Sequence, residues 1–400
     1  MHVGFVATES PYGDRSSCGI AAYLRAMIPA LLEAGHRVTL FANSKENRNF
    51  RAEDGQVPVY HFQLPSLHWY TARVPGLRRL APLPLRQVEW SAAFYRQVAR
   101  VAARTKFDVL ESTETGALFL SRIAPLVIRL HGSEYAFRKH TGKSSDLSVR
   151  WNDYLEASSS RRAVAITTPS RFQANEMISH RGWPADRVRV IPNPISATML
   201  KAALQFERNG SAEQVVLYTG RLAPVKGIET LLAAAKLVHD QNPVITFVLA
   251  GPWQMPKSPE AYGLELNRKS ADGVQWVGAQ DQKELIDWYK RAKLFVMPSY
   301  YESFGISVVE AMAFGLPVVA SDNGGLREIV GHNGSGTLVG TRDPKAFADA
   351  IIHLISATRS HHQSGGSEIE KFHPQRIAAQ TMELYQSVRS STSANGSGTR

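Results

Sequence analysis

One cysteine, Cys18, occurs in 400 residues. It excludes an internal disulfide and a thiolate zinc site, and it suits a reducing compartment. No neighbouring residue marks Cys18 as a nucleophile, so it reads as a small buried or loop residue. No uninterrupted apolar run of about 18 residues exists, so no membrane-spanning helix is expected. The opening MHVGFVATES lacks the basic flank and long apolar core of a signal peptide and reads as a strand. Acidic residues are in deficit: Asp and Glu number 35 against 46 Lys and Arg, a net charge of +11. Such a balance points to nucleic acid, an anionic membrane surface or anionic small substrates.

What is present is globular: 44% hydrophobic and 20% charged residues, with a length that suits two domains, each with its own core. Residues 2–7 read as a strand, 9–19 as a loop, 20–34 as a helix with Pro29 inside it, and 36–42 as a strand. This βαβ unit implies a parallel sheet with helices on its faces. Gly19, in the loop before the helix, suits either close approach of a ligand or a simple turn. Strands follow at 107–111, 126–130, 163–167 and 188–191, with helices at 115–122, 149–159 and 171–180, the last capped by Ser170. His131 stands at the carboxyl end of a strand, where it can meet a ligand or cap a loop. Residues 196–213 read as a connection. A second series runs through strands at 215–218, 245–250, 275–277 and 294–297. Its helices are at 228–238, at 281–291 with Asp281 as cap, and from Asp343 to about 356. A polar break at 358–366 precedes a helix at 374–388. Two doubly wound sheets with a cleft between them are expected.

Residues 45–88 interrupt the rhythm, because Pro58, Pro65, Pro75, Pro82 and Pro84 rule out long regular elements. Across 69–104, Arg73, Arg78, Arg79, Arg86, Arg96, Arg100 and Arg104 stand among Trp69, Tyr70, Trp90, Phe94 and Tyr95. Three readings stay open: an ordinary solvated face, a surface for anionic lipid or a charged acceptor, and nucleic acid, for which no recognised motif is present.

The chemistry concentrates in two stretches. In residues 300–325, Glu302 and Glu310 are separated by seven residues, with Gly305 between them and a helical apolar pattern after it. A helix beginning near Gly305 turns its free N–H groups and positive dipole end toward whatever lies above the preceding strand. In GRLAPVKG (220–227), Arg221 and Lys226 flank a proline loop between a strand and a helix. Arg offers a planar fork and Lys a compact charge, both suited to phosphate oxygens. By itself such a pair also suits a surface ion pair. Beside Glu302, Gly305 and Glu310 the diphosphate reading prevails.

Together these residues resemble the GT-B-fold retaining glycosyltransferases of the family 4 type. The matching positions are Gly220, Arg221, Lys226, Gly227, the Glu302-x7-Glu310 spacing, Phe304-Gly305, Ala311-Met312-Ala313, Gly315, residues 317–320 and Gly324-Gly325. Upstream, His131-Gly132 and Ile191-Pro192-Asn193 also fit. The resemblance implies two Rossmann-like parallel-sheet domains facing a central cleft. The first, 1–195, would bind the acceptor, the second, 196–370, the nucleotide-sugar. A helix at 371–389 would cross back to the first domain, leaving 390–400 as a flexible tail. It also implies roles. Arg221 and Lys226 hold the donor diphosphate, and Glu310 meets the ribose. Glu302 lies near the transferred sugar, either acting chemically or orienting hydroxyls. The amides of Phe304, Gly305 and Ile306 face the diphosphate, His131 lies on the sugar side, and Gly19 lies near donor and acceptor. Two departures, Cys18-Gly19 in place of Gly-Gly and Asn193-Pro194-Ile195-Ser196 in place of Asn-Gly-Val-Asp, bear on acceptor geometry.

The expected reaction is transfer of a sugar from a nucleotide-diphosphate-sugar to a hydroxyl with retention, in polysaccharide or envelope glycan synthesis. The acceptor would be a glycan or a lipid-linked sugar, and the location cytoplasmic or peripheral on the inner membrane face, through the basic 69–104 region. No nucleic-acid partner is expected. Alternatives are a GT-B nucleotide-sugar epimerase or phosphorylase, and a catalytically silent sugar-nucleotide-binding subunit. No Asp-x-Asp triplet occurs. Glycosyltransferases that hold Mg²⁺ on the diphosphate commonly use one, so no cofactor and no metal are expected. Transfer activity should persist in excess EDTA; activity abolished by EDTA and restored by Mg²⁺ would refute metal independence.

Overall fold

In a computed structural model of the chain, residues 1–11, 19–43, 49–54, 56–71, 73–74, 76, 82–142, 147–208, 213–330, 336–357 and 369–396 are described. Cys18, Pro75, Arg78, Arg79 and the polar break at 358–366 fall outside them. The chain divides into two compact units, each described by itself. The first comprises Met1–Tyr12, Met27–Pro192 and Gln375–Arg400, and the second Gly13–Ala26 and Asn193–Pro374.

The first unit holds an eight-stranded sheet: β1 (His2–Ala7), β2 (Arg37–Asn43), β3 (Phe50–Asp54), β4 (Val57–Phe62), β5 (Val109–Ser112), β6 (Leu126–Arg129), β7 (Ala165–Thr168) and β8 (Val188–Val190). The strand order is β3-β4-β2-β1-β5-β6-β7-β8. β1 is buried along its whole length, the pattern of a central parallel strand covered on both faces. Only β3 runs antiparallel, Ala52 facing Val59. This hairpin of two short strands lies in the stretch expected to lack long regular elements. Pro58 is compatible with it because the ladder between β2 and β4 begins one residue later, at Leu40 and Val59, so no bond to β2 is forfeited. Pro82 and Pro84 open the helix Pro82–Ala102, where first-turn amides lack intrahelical acceptors.

Further differences from the sequence reading have local causes. In place of a helix over 115–122, only Leu120–Arg122 form a 3₁₀ turn. Gly116 has φ +85 there, and its N–H goes to the Gln87 side chain, 3.1 Å away. The helix Glu134–Thr141, capped by Ser133, follows β6 directly. The connection 196–213 contains the helix Ala197–Leu204, capped by Ser196, with Met199, Leu200 and Ala203 buried. The last helix runs Pro374–Gly396, so the first residues of the expected tail continue it. It packs on the first unit: Tyr385 donates to buried Glu111 at 2.6 Å, and Gln375 to Glu33 at 2.6 Å.

The second unit holds six parallel strands: β9 (Val215–Thr219), β10 (Thr246–Ala250), β11 (Val274–Gly278), β12 (Leu294–Met297), β13 (Val318–Ser321) and β14 (Gly336–Val339). Their order is β11-β10-β9-β12-β13-β14. The chain winds outward from β9 in one direction and from β12 in the other. The crevice at the carboxyl ends of β9 and β12 is therefore the switch point at which such sheets bind ligands. Asp281 closes a capping box on the helix Gln282–Arg291, accepting from the Glu284 N–H at 2.9 Å while Glu284 accepts from the Asp281 N–H at 2.7 Å. Asp281→Ala is expected to lower stability by about 1 kcal/mol in urea unfolding, and an unchanged midpoint would disprove the contribution of the box.

Candidate active site

Two loops meet at this switch point. One leaves β9 and carries Arg221 and Lys226; the other leaves β12 and carries Glu302. Their backbones are in direct contact, since the Tyr300 N–H donates to the Val225 carbonyl at 2.8 Å. Gly227, at φ +68, presses so close to the second loop that a Cβ there would lie 2.0 Å from the Pro298 carbonyl oxygen. No other residue type fits this place. The side chains complete the junction. Lys226 Nζ and Glu302 Oε2 form an ion pair at 2.5 Å, with only 18% and 13% of the two side chains exposed. Thr230 and Tyr300 share a hydroxyl hydrogen bond at 2.8 Å.

A third segment backs Glu302. The Gly325 N–H donates to the Glu302 carbonyl at 2.9 Å. A Cβ at Gly324 would stand 2.3 Å from that carbonyl oxygen, and one at Gly325 2.5 Å from the Ser303 carbonyl oxygen. The glycine pair thus serves close backbone approach, and Asn323 adds a side-chain bond to the Tyr300 carbonyl. Arg221 is exposed at the loop surface, 3.4 Å from the Gln254 side chain. The backbone beneath it is held by Tyr218, which donates to the Arg221 carbonyl at 2.8 Å.

The helix Ile306–Ala313 starts at Gly305, which has φ 104. Its first amides have no carbonyl within the helix to bond, so this end is positive and faces the same loops. Phe304 is buried, its ring edge-on to Phe372 at 5.6 Å, so at this position only the backbone is left to meet a ligand. Ile306 is half-buried against the core. The far end of the helix is tied by Arg208, whose guanidinium donates to the Phe314 carbonyl at 3.1 Å, the Ala292 carbonyl at 2.6 Å and the Tyr289 carbonyl at 3.0 Å.

Glu310 accepts from the Tyr289 hydroxyl at 2.9 Å, and Tyr289 also reaches Thr219 at 2.8 Å. Burial pushes the Glu310 carboxyl up to about 7, against the opposing effect of the Tyr289 bond. Tyr289, pushed well above its ordinary value chiefly by burial and next by Glu310, stays a donor. Tyr289, Tyr218 and Arg208 are not among the site residues read from the sequence. They lie in no motif, and Tyr289 shows only as an apolar-face position of its helix.

The structure therefore brings Arg221, Lys226, Glu302, Phe304, Gly305, Ile306 and Glu310 together in the second unit. Gly19 is the first residue of the helix Gly19–Glu33, with open space where a Cβ would be. His131 belongs to the first unit, just past β6. Burial, and secondarily the Arg129 charge, hold its imidazole down at about 3, so it is neutral near pH 7. Nearby, burial and then the Glu156 charge raise buried Glu114 to about 8. No group of three or more potential metal ligands occurs among the described residues.

Comparison with known proteins bears on the family and the fold. The family model described as Glycosyltransferase Family 4 matches residues 18–198, and that described as Glycosyl transferases group 1 matches residues 202–367. D-inositol 3-phosphate glycosyltransferase of Paenarthrobacter aurescens (strain TC1) is 26% identical over 400 residues, 94% of each chain. Sucrose-phosphate synthase from Thermosynechococcus elongatus superposes with a TM-score of 0.76 at 23% identity, covering 98% of this chain and 99% of that one. Anabaena HepE in complex with UDP and glucose superposes with a TM-score of 0.64 at 20% identity, covering 96% and 99%.

The raised Glu310 carboxyl has a consequence for stability. Between its ordinary value of 4.5 and about 7 the folded chain binds this proton more tightly than the unfolded chain. Its contribution is therefore lost as pH rises through that window. Glu310→Gln should lose least stability, or gain, at pH 8 relative to pH 5 when urea unfolding is compared with wild type. Identical pH responses of the two proteins would contradict the shift.

Proposed function

The chain belongs to family 4 of the glycosyltransferases, within group 1, and on that premise we propose that it moves a sugar from a nucleotide-diphosphate-sugar to an acceptor hydroxyl with retention of anomeric configuration. The observation that carries this reading is the meeting of Lys226, Glu302 and the Gly305 helix start at one switch point, beside Arg221. The UDP and glucose held by Anabaena HepE support a nucleotide-sugar donor for this chain as well.

In the proposed reaction the bond between the anomeric carbon and the diphosphate oxygen breaks, and the electron pair leaves with the diphosphate. Charge growing on that group is met by Arg221, Lys226 and the amides of Gly305 and Ile306. These are fixed donors that stabilise the departing state more than the bound donor. The acceptor hydroxyl arrives on the face the leaving group vacates, and its proton passes to a diphosphate oxygen. Glu302, already paired with Lys226, orients sugar hydroxyls and keeps the lysine at the right depth. Tyr289 occupies one oxygen of Glu310, leaving the other for a ribose hydroxyl.

The fixed cations and the helix end take the place a divalent metal would fill, and no cofactor is invoked. The acceptor we propose is a glycan or lipid-linked sugar in polysaccharide or envelope glycan synthesis, on the cytoplasmic side. The single cysteine and the basic aromatic sequence around 69–104 support that setting.

Replacement of either cation tests the reading. Arg221→Ala and Lys226→Ala should each lower kcat by about 100-fold or more in transfer assays with the cognate nucleotide-sugar. Near-normal turnover in both would remove them from the chemistry.

A further inference from the structure

The helix Leu147–Arg162 of the first unit is turned inside out. Its buried face carries Ser148, Asn152, Glu156, Ser159 and Ser160 beside Val149 and Ala157. Its outward face carries Leu147, Trp151 and Tyr154, which are 51%, 65% and 65% exposed. Positions 147, 150, 151, 154, 158 and 161 form one continuous helical stripe. The orientation is locked by polar contacts on the buried side. Arg181, with 1% of its side chain exposed, pairs with Glu156 at 3.0 Å and Asp153 at 2.7 Å. Asn152 donates to Glu156 at 2.8 Å, and His180 pairs with Asp153 at 2.7 Å. Rotating the helix to bury its aromatics would break this network and leave Arg181 and Glu156 buried without their partners. The apolar stripe is thus held outward by the fold.

The chemistry of the stripe selects its partner. Both acids of the helix are consumed by Arg181 and His180, so every exposed charge on it is positive: Arg150, Arg161 and Arg162. Arg161 lies 5.5 Å from the Tyr154 ring centre. Trp and Tyr with polar edges, a leucine one turn before them and flanking arginines make up the composition of a helix lying at headgroup depth on an anionic bilayer. The stripe carries no amide or carboxylate side chain to accept from glycan hydroxyls; beside its arginines and the Tyr154 hydroxyl it offers only Ser158. A second patch has the same composition. Leu67, Trp69, Tyr70 and Val74 are exposed, and the Arg73 guanidinium lies 3.2 Å from the Trp69 ring centre. The helices bearing the two patches both pack against Pro82–Ala102. Among the described residues no helix is long and apolar enough to cross a membrane.

We propose that the outward stripe of Leu147–Arg162, centred on Trp151 and Tyr154, seats the first unit on an anionic lipid surface. The full-length chain should co-sediment with vesicles of phosphatidylcholine mixed with phosphatidylglycerol, and far less with phosphatidylcholine alone. Trp151→Ser with Tyr154→Ser, and separately Arg150→Glu with Arg161→Glu, should each weaken anionic-vesicle binding by about tenfold or more. Both double variants alter exposed side chains only, so their melting temperatures should match wild type. Absence of binding to the anionic vesicles, or equal binding by wild type and both variants, would overturn the assignment. So would wild-type self-association in sedimentation velocity that the Trp151/Tyr154 variant loses, or quenching of wild-type but not variant tryptophan fluorescence by a soluble maltooligosaccharide. Thermal stabilisation by nucleotide-sugars reports on the donor site separately, so failure here leaves the transferase reading standing and the reverse.

Discussion

The ion pair between Lys226 and Glu302 is the interaction on which the donor site depends. It joins the loops leaving β9 and β12, which part in opposite directions at the sheet's switch point. A lysine and a glutamate with this little exposure are costly to desolvate singly and tolerable together, because each satisfies the other. The backbones around them leave no slack. The Pro298 carbonyl lies where a side chain at position 227 would be, and the Glu302 and Ser303 carbonyls lie where side chains at 324 and 325 would be. Glycine at these three positions is a packing requirement that makes the charged pair possible.

The helix Ile306–Ala313 is the second rigid part, and it is held at both ends. Gly305 turns the chain into it from the Glu302 loop, and Arg208 caps the carbonyl just past its last turn. The same arginine holds the end of Gln282–Arg291, the helix that carries Tyr289. Arg208 therefore fixes the spacing between Tyr289 and Glu310 without touching either side chain of that pair. Burial lowers the Arg208 guanidinium to about 10, which leaves it charged and able to meet the negative ends of both helices. An anion entering at the switch point would meet donors already in place, and in the reaction proposed above such preorganisation would stabilise the charge that grows on the departing diphosphate.

The first unit uses the same sheet logic with a different outcome. Its central strands are buried, but the helix Leu147–Arg162 spends its inward face on ion pairs and hydroxyls and leaves its aromatics in water. A sequence pattern of Leu147, Trp151 and Tyr154 reads as a core stripe by periodicity alone. It becomes an outward stripe because Arg181, on a neighbouring helix, claims Glu156 and Asp153. Hydrophobic spacing states that a face exists; which side it turns to is decided by the competing polar partners.

Local rules sufficed for much of this protein. Alternation and period placed β1, β9 and β12, and caps located the helices after Ser170, Asp281 and Asp343. The Glu302-x7-Glu310 spacing and the 220–227 loop marked the residues that the structure sets on the two switch-point loops and on the helix that follows, because a glycine-flanked loop and a helix start leave a contiguous trace in the chain. The sequence by itself thus determined the parallel-sheet class and singled out the charged groups of the candidate site. The short Ser196-capped helix, the β3–β4 hairpin and the 3₁₀ turn near Gly116 escaped because a few residues carry too little periodicity to outweigh proline or glycine. Only the tertiary structure decided the pairing of Lys226 with Glu302 across 76 positions, the Tyr289 bond to Glu310, the Arg208 clamp and the outward turn of Trp151. Each of these is a contact between distant segments, fixed by burial and by competition among polar partners, and neither leaves a spacing that can be read along one strand or helix.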